Sequence, residues 1–185
     1  MNPLIEQLLK YGYASEDVQQ EINRRTKHLV KKKNEHLLKA GQSFSSYFVL
    51  KKGLIRAYFH RNNKEINTWF GEENQIFYSI LPVYENSPSF ESIQFLEDSE
   101  IFCISNNDLN QLYTLYPELN VIGRRIAEEV AILLEKRIVS LHTKSAIERY
   151  NSLIEFQPNL LNRVNLGHIA SYLGMTQETL SRIRK

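Results

Sequence analysis

Leu166-Gly-His-Ile-Ala-Ser-Tyr-Leu-Gly-Met-Thr-Gln-Glu-Thr-Leu-Ser-Arg-Ile-Arg-Lys185 ends the sequence. It spells two short amphipathic helices around a turn. Ile169, Ala170 and Leu173 share one helical face. Gly174 follows, where the backbone must turn sharply and a left-handed residue carries little penalty. Thr176 is placed to cap the next helix through its hydroxyl. Leu180 and Ile183, three apart, form that helix's inner face. Ala170 is small enough for the two helices to cross closely. This is the helix-turn-helix pattern, whose second helix enters the major groove of DNA.

The outward face of the second helix carries Gln177, Glu178, Ser181 and Arg182. Arg182 suits a bidentate bond to guanine, Glu178 can accept from a cytosine amine, and Gln177 suits adenine. Thr176 and His168 lie at the starts of the two helices, and Arg184 and Lys185 follow the second. These eight residues are the expected DNA contacts. Arg163 adds to a local basic patch. The competing interpretation is a polar face on a helical hairpin kept for packing or protein contacts.

Upstream, Leu119, Ile122, Ile126, Val130, Leu133, Arg137 and Leu141 step by three or four. The pattern lasts about 24 residues, or ~36 Å of helix. Ala127, Ala131, Leu134 and Ile138 form a second stripe. One stripe can pack on the rest of the chain, which leaves the other for a partner helix. We expect a homodimer, with Ile122, Ile126, Val130, Leu133, Arg137 and Leu141 in its seam. Ala146 to Phe156 predicts a further helix, ended by Pro158. Asn165 is placed to cap the first helix of the terminal pair.

The region before Asn107 is rich in strands. Tyr47–Leu50 and Leu54–Phe59 flank Lys51-Lys52-Gly53, which predicts a hairpin. Ile66–Phe70, Ile93–Leu96 and Glu100–Ile104 follow, with turns at Arg61–Lys64 and Glu97–Ser99. Short strands at close intervals argue for an antiparallel roll. Two helices precede it, the second capped by Ser15, and strands begin at His36. Lys31-Lys32-Lys33 reads as a solvated turn or strand edge.

Composition narrows the function. A hydrophobic fraction of 42% supports a full core, and a formal charge of +2 excludes a non-specific polycation. The lone cysteine, Cys103, sits in an apolar run and cannot form an internal disulfide or hold an iron–sulfur cluster alone. The five histidines are scattered without metal-ligand spacing. No cofactor is expected, and no enzymatic function. No signal peptide or membrane span is legible, so a cytoplasmic setting is expected.

The expected fold class is α+β: a β-roll over residues 1–116, a long dimerisation helix over 117–142 and a helix-turn-helix domain over 143–185. This arrangement resembles the cyclic-AMP receptor protein / fumarate-nitrate regulator (Crp/Fnr) superfamily. The likeness is strongest in Tyr47–Phe59 and Ile169–Arg182. It implies a cyclic-nucleotide-binding-like jelly roll and a homodimeric transcription regulator bound to an inverted-repeat operator. It also implies RNA polymerase as a further partner, and a small-molecule effector that the sequence does not identify.

Two departures from that pattern stand out. Where relatives that bind cyclic nucleotides carry Gly-Glu and Arg-Ser pairs, this chain has Phe77-Tyr78 and Ser89-Phe90. Residues 75–92 contain no Arg or Lys. A phosphate buried without a cation would carry a large desolvation cost, so cyclic-AMP binding by the usual chemistry is not expected. Tyr58, Phe70, Phe77, Tyr78, Ser89 and Phe90 mark the effector region, either as a filled aromatic core or as an apolar pocket. The second departure is at the end: the sequence stops at Lys185, before the small wing that usually follows the recognition helix, so the wing is either absent or lies beyond this sequence. The alternative function is a small-molecule-binding signalling module whose helix-turn-helix contacts protein.

Overall fold

The structure is a computed structural model, and it describes residues 1–184. By internal contacts it divides into two compact units, Met1–Ala57 with Phe70–Glu128, and Tyr58–Trp69 with Glu129–Lys185.

The first unit opens with α1 (Pro3–Leu8) and α2 (Glu16–Arg25). Asn2 caps α1 by accepting from Leu4 N–H. Ser15 stands at the start of α2 but makes no side-chain cap. Its backbone N–H instead donates to Glu118 Oε1 at 2.7 Å.

The strands are β1 (Lys27–Lys31), β2 (His36–Leu38), β3 (Ser46–Lys52), β4 (Ile55–Arg61), β5 (Lys64–Gly71), β6 (Ile76–Phe77), β7 (Ser92–Phe95) and β8 (Ser99–Ser105). They form two four-stranded sheets, in the orders β1-β8-β3-β6 and β2-β7-β4-β5. The antiparallel roll expected from the strand spacing is present, but its connections differ from expectation. β3 and β4 are not a hairpin, because they lie in different sheets. Gly53, with φ +109°, carries the chain between them. β3 pairs instead with β6 and β8, with Phe48 opposite both Phe77 and Cys103. The tight connection is β4–β5, where Asn62 and Asn63 both take positive φ, as a two-residue hairpin turn requires. β1 was not expected, since strands were read only from His36. The Lys31–Lys33 run leads from the end of β1 into a turn and is tied down by Asp98, which accepts from Lys32 Nζ and from Lys33 N–H, both at 2.9 Å.

Phe48, Leu50, Ile55, Ile93, Phe95, Ile101 and Ile104 are fully buried and form the roll's core. Cys103 is buried among them, and burial pushes its thiol pKa up, so it stays a protonated core side chain. Helix α3 (Asn106–Leu115) follows, capped by Ser105. Helix α4 (Glu118–Thr143) runs on from one compact unit into the other.

The second unit holds the tip of the β4–β5 hairpin, the end of α4, and α5 (Ala146–Phe156), α6 (Leu160–Arg163), α7 (Leu166–Tyr172) and α8 (Gln177–Ile183). Ser145 and Glu148 form a full capping box on α5. Leu153, Leu160, Val164, Ile169, Ala170, Leu173 and Leu180 are buried in this unit. No helix among the described residues is long and apolar enough to cross a membrane.

Candidate nucleic-acid interface and sensor region

The terminal helices are closed by local chemistry. Asn165 accepts from His168 N–H at 2.8 Å and starts α7. Gly174 takes φ +65°, and Met175 N–H donates back to Ala170 O at 3.0 Å. Thr176 then caps α8 by accepting from Thr179 N–H at 3.2 Å. Ala170 and Leu180 are buried, as a close helix crossing requires.

The opposite face is open. Gln177, Glu178, Ser181, Arg182 and Arg184 are exposed, and the first three line one shallow hollow. Glu178's own backbone N–H, the Thr176 hydroxyl and nearby Arg182 hold its carboxyl below the usual carboxylate range, so it is an anion at neutral pH. Thr176 is exposed, and its hydroxyl serves the cap. His168 is half-buried in the first turn of α7. Lys185 lies outside the described residues. The sequence reading missed Thr179, which is half-buried and 3.2 Å from the Thr176 hydroxyl. It also missed Ser171, whose hydroxyl donates to Glu65 O at 2.8 Å and accepts from Asn67 N–H at 3.0 Å. A helix side chain thereby takes the place of a neighbouring strand on β5. Periodicity could not reveal this contact, because its partners lie about a hundred residues away.

The long helix departs from expectation. Ile122 and Ile126 were expected in a dimer seam, but both are buried by the chain's own residues and are withdrawn from it. Arg137 is engaged as well, with its guanidinium 4.0 Å from the centre of the Tyr172 ring. Val130 is half-buried, and Leu133 and Leu141 are exposed. Leu134 and Ile138, from the second stripe, are 48% and 58% exposed. The chain itself therefore covers the first stripe only up to Ile126, and beyond Val130 both stripes carry exposed apolar residues.

In the first unit, several of the residues that the resemblance places at the nucleotide site contact one another or their neighbours. Ser79 Oγ donates to Ser89 Oγ at 3.2 Å, and Ser89 Oγ donates to Glu91 O at 3.0 Å. Tyr78 packs against Tyr47, with ring centres 4.6 Å apart, and edge-on to Tyr84 at 5.7 Å. The Tyr47 and Tyr84 hydroxyls are 3.1 Å apart. Tyr84 lies on a π-helical turn, Leu81–Glu85. Burial first, then the Tyr84 hydroxyl, pushes the Tyr47 and Tyr78 phenols well above their ordinary range. Burial pushes Tyr113 up to about 12. These phenols are neutral donors and acceptors, and they bring no charge to meet a phosphate. Arg56, the buried arginine of β4, turns its Nε to Gln94 Oε1 at 2.9 Å. Of the other expected effector residues, Phe70 is buried and Phe77 packs on Phe48 at 5.7 Å. Phe90 is 59% exposed, so its ring lies at the surface, and Tyr58 falls in the second unit.

Residues 29–116 match the cyclic nucleotide-binding domain family. Electron transport regulator A of Shewanella oneidensis is 28% identical over 167 residues, covering 82% of this chain. The chain spans 64% of that relative's length. Among solved structures, FixK2 from Bradyrhizobium japonicum is similar with a TM-score of 0.71 and 18% identity, over 86% of this chain and 82% of that one. The catabolite activator protein of Thermus thermophilus is similar with a TM-score of 0.61 and 18% identity, over 96% and 84%. The c-di-GMP responsive global regulator CLP of Xanthomonas campestris gives 0.70 and 13%, over 91% and 89%. The fold is that of these solved structures, and the family match falls on the roll.

Proposed function

We propose that this chain, a cyclic-nucleotide-binding-type roll followed by the helices of a Crp/Fnr regulator, is a homodimeric transcription regulator that reads double-stranded DNA with α8. The observation that carries this is the pair α7–α8. It is capped at both starts and closed by a left-handed glycine, and it leaves Gln177, Glu178, Ser181 and Arg182 exposed on one helix. A dimer of such units presents two reading helices to successive major grooves, so the operator is an inverted repeat with half-sites about 34 Å apart.

Selection of bound duplexes from a random-sequence pool tests this. The recovered sequences should share an inverted repeat. Against that operator, Arg182→Ala should cost about 1–3 kcal/mol and relax selectivity at one position per half-site. Arg184→Ala should weaken operator and scrambled duplex alike and flatten the salt dependence. Failure to recover any duplex would favour the protein-contacting alternative for the helix pair.

The roll acts in this proposal as a sensor-like domain without cyclic-nucleotide chemistry. Ser89 stands at the arginine position and spends its hydroxyl on Ser79 and Glu91. Neutral tyrosines occupy the neighbouring space. Calorimetric titration with cyclic AMP or cyclic GMP should give no saturable heat at micromolar concentrations. Saturable binding of either nucleotide would mean that a cation such as Arg56 reaches the phosphate.

A further inference from the structure

We infer that Arg137 is a positioning residue for DNA reading: from the long helix α4 it fixes the turn between α7 and α8. This rests on the DNA-reading assignment above, and deepens it by naming what sets the pose of the reading helix.

The last carbonyls of a helix have no partner within it and must find one elsewhere. Those of α7 can be traced individually. Ile169 O accepts from Leu173 N–H, Ala170 O from Met175 N–H and Ser171 O from Gly174 N–H. The next three go to two guanidinium groups. Arg137 Nη2 donates to Tyr172 O. Arg149, on α5, donates from Nε to Leu173 O at 2.7 Å and from Nη2 to Gly174 O at 3.4 Å. Its Nη1 also donates to Lys144 O at 2.6 Å, which ties the same turn to the end of α4.

Arg137 holds its partner twice, since its guanidinium also lies over the Tyr172 ring. One turn further along α4, Leu141 sits against the glycine. A Cβ built on Gly174 would lie 3.3 Å from Leu141 Cδ2. Arg137 and Leu141 are four residues apart and share a helix face. That face is the seat of the α7–α8 turn. Two like charges are tolerated side by side because both point at the negative end of α7.

The consequence is specific to reading. Base-edge hydrogen bonds depend on the angle of α8, whereas phosphate contacts tolerate some tilt. Releasing the turn should therefore degrade sequence discrimination before it degrades total affinity.

The test uses the full chain with Arg137→Met, Arg137→Lys, Tyr172→Phe and Tyr172→Leu. The probes are the duplex recovered by the wild type from a random pool and its scrambled copy. Two quantities are read: the ratio of the two affinities, and hydrogen-exchange protection of the amides of residues 173–180. Arg137→Met should lower the ratio about tenfold, a typical value for losing a partly buried cation–π contact with its hydrogen bond, and should lose protection over the turn. Arg137→Lys, which keeps charge without the planar fork, should fall between. Tyr172→Phe keeps the ring face and should behave as wild type, while Tyr172→Leu should not. An Arg137→Met chain with the wild-type ratio and wild-type protection overturns the inference. If that variant does not fold, equal ratios for the Tyr172 pair overturn it. If the wild type recovers no duplex, the DNA-reading assignment falls first, and unchanged exchange in Tyr172→Leu would then overturn the positioning role too.

Discussion

Gly53→Ala should remove a large part of the stability of the roll. A Cβ at this position would lie 2.0 Å from Ser99 Oγ, 2.6 Å from Ser99 Cβ and 2.9 Å from Ser99 Cα. Moving one hydroxyl cannot relieve this, because the backbone of the neighbouring strand is within reach too. The φ of +109° adds a conformation that residues with a Cβ rarely adopt. Overpacking and backbone strain together should cost about 3–5 kcal/mol, a large part of the ~5–15 kcal/mol of a typical domain. Gly41→Ala is the internal control. Gly41 also has positive φ, +85°, but an added Cβ would meet nothing within 4 Å. It should cost about 1 kcal/mol from strain alone. Urea melts followed by circular dichroism measure both. Ser99→Gly in the Gly53→Ala background should restore part of the loss by removing the two nearest atoms. Equal midpoints for the Gly53 and Gly41 variants would mean that the crossing at Gly53 is looser than described.

That glycine also shows where sequence patterns stop being informative. Alternating apolar residues identify β3 and β4 as strands, and Gly53 as a break between them. They do not say which strands pair. A short glycine turn between two strands is a hairpin in most sheets, and here the same residues carry the chain from one sheet to the other. The partners of β3 come from residues 76–77 and 99–105, a long-range choice that local spacing does not encode. β1 escaped notice because lysines and a histidine surround its few apolar residues. The terminal helix pair was legible in detail, because caps, a left-handed glycine and an apolar face are local features. In the sensor region the crowding of aromatic residues was legible. The cluster itself was not, since Tyr47 reaches it from a distant strand.

The same limit governs the long helix, and it yields the second large effect. Helical spacing identifies faces but does not say what covers them. Ile126 is 3% exposed in the single chain, so Ile126→Asp would bury a charge whether or not a partner is present. Leu134 and Ile138 are different. They are four residues apart, both substantially exposed, and flanked by exposed Ala131 and Leu141. Leu134→Asp with Ile138→Asp should leave the isolated chain folded, since exposed substitutions in a helix cost only about 0.5 kcal/mol each. In a dimer packed along this face the same pair would place four carboxylates in an apolar seam. Each charge buried without a partner costs several kcal/mol, which is enough to dissociate a dimer of ordinary strength. Sedimentation equilibrium should show a dimer for the wild type and a monomer for the double variant, with matching thermal melts measured well below the association range. The recovered operator should then be bound weakly, because one reading helix contacts only one half-site. A double variant that stays dimeric would place the seam on another face of α4. A wild type that sediments as a monomer at tens of micromolar, near typical weak-association limits, would remove the dimer from the proposal.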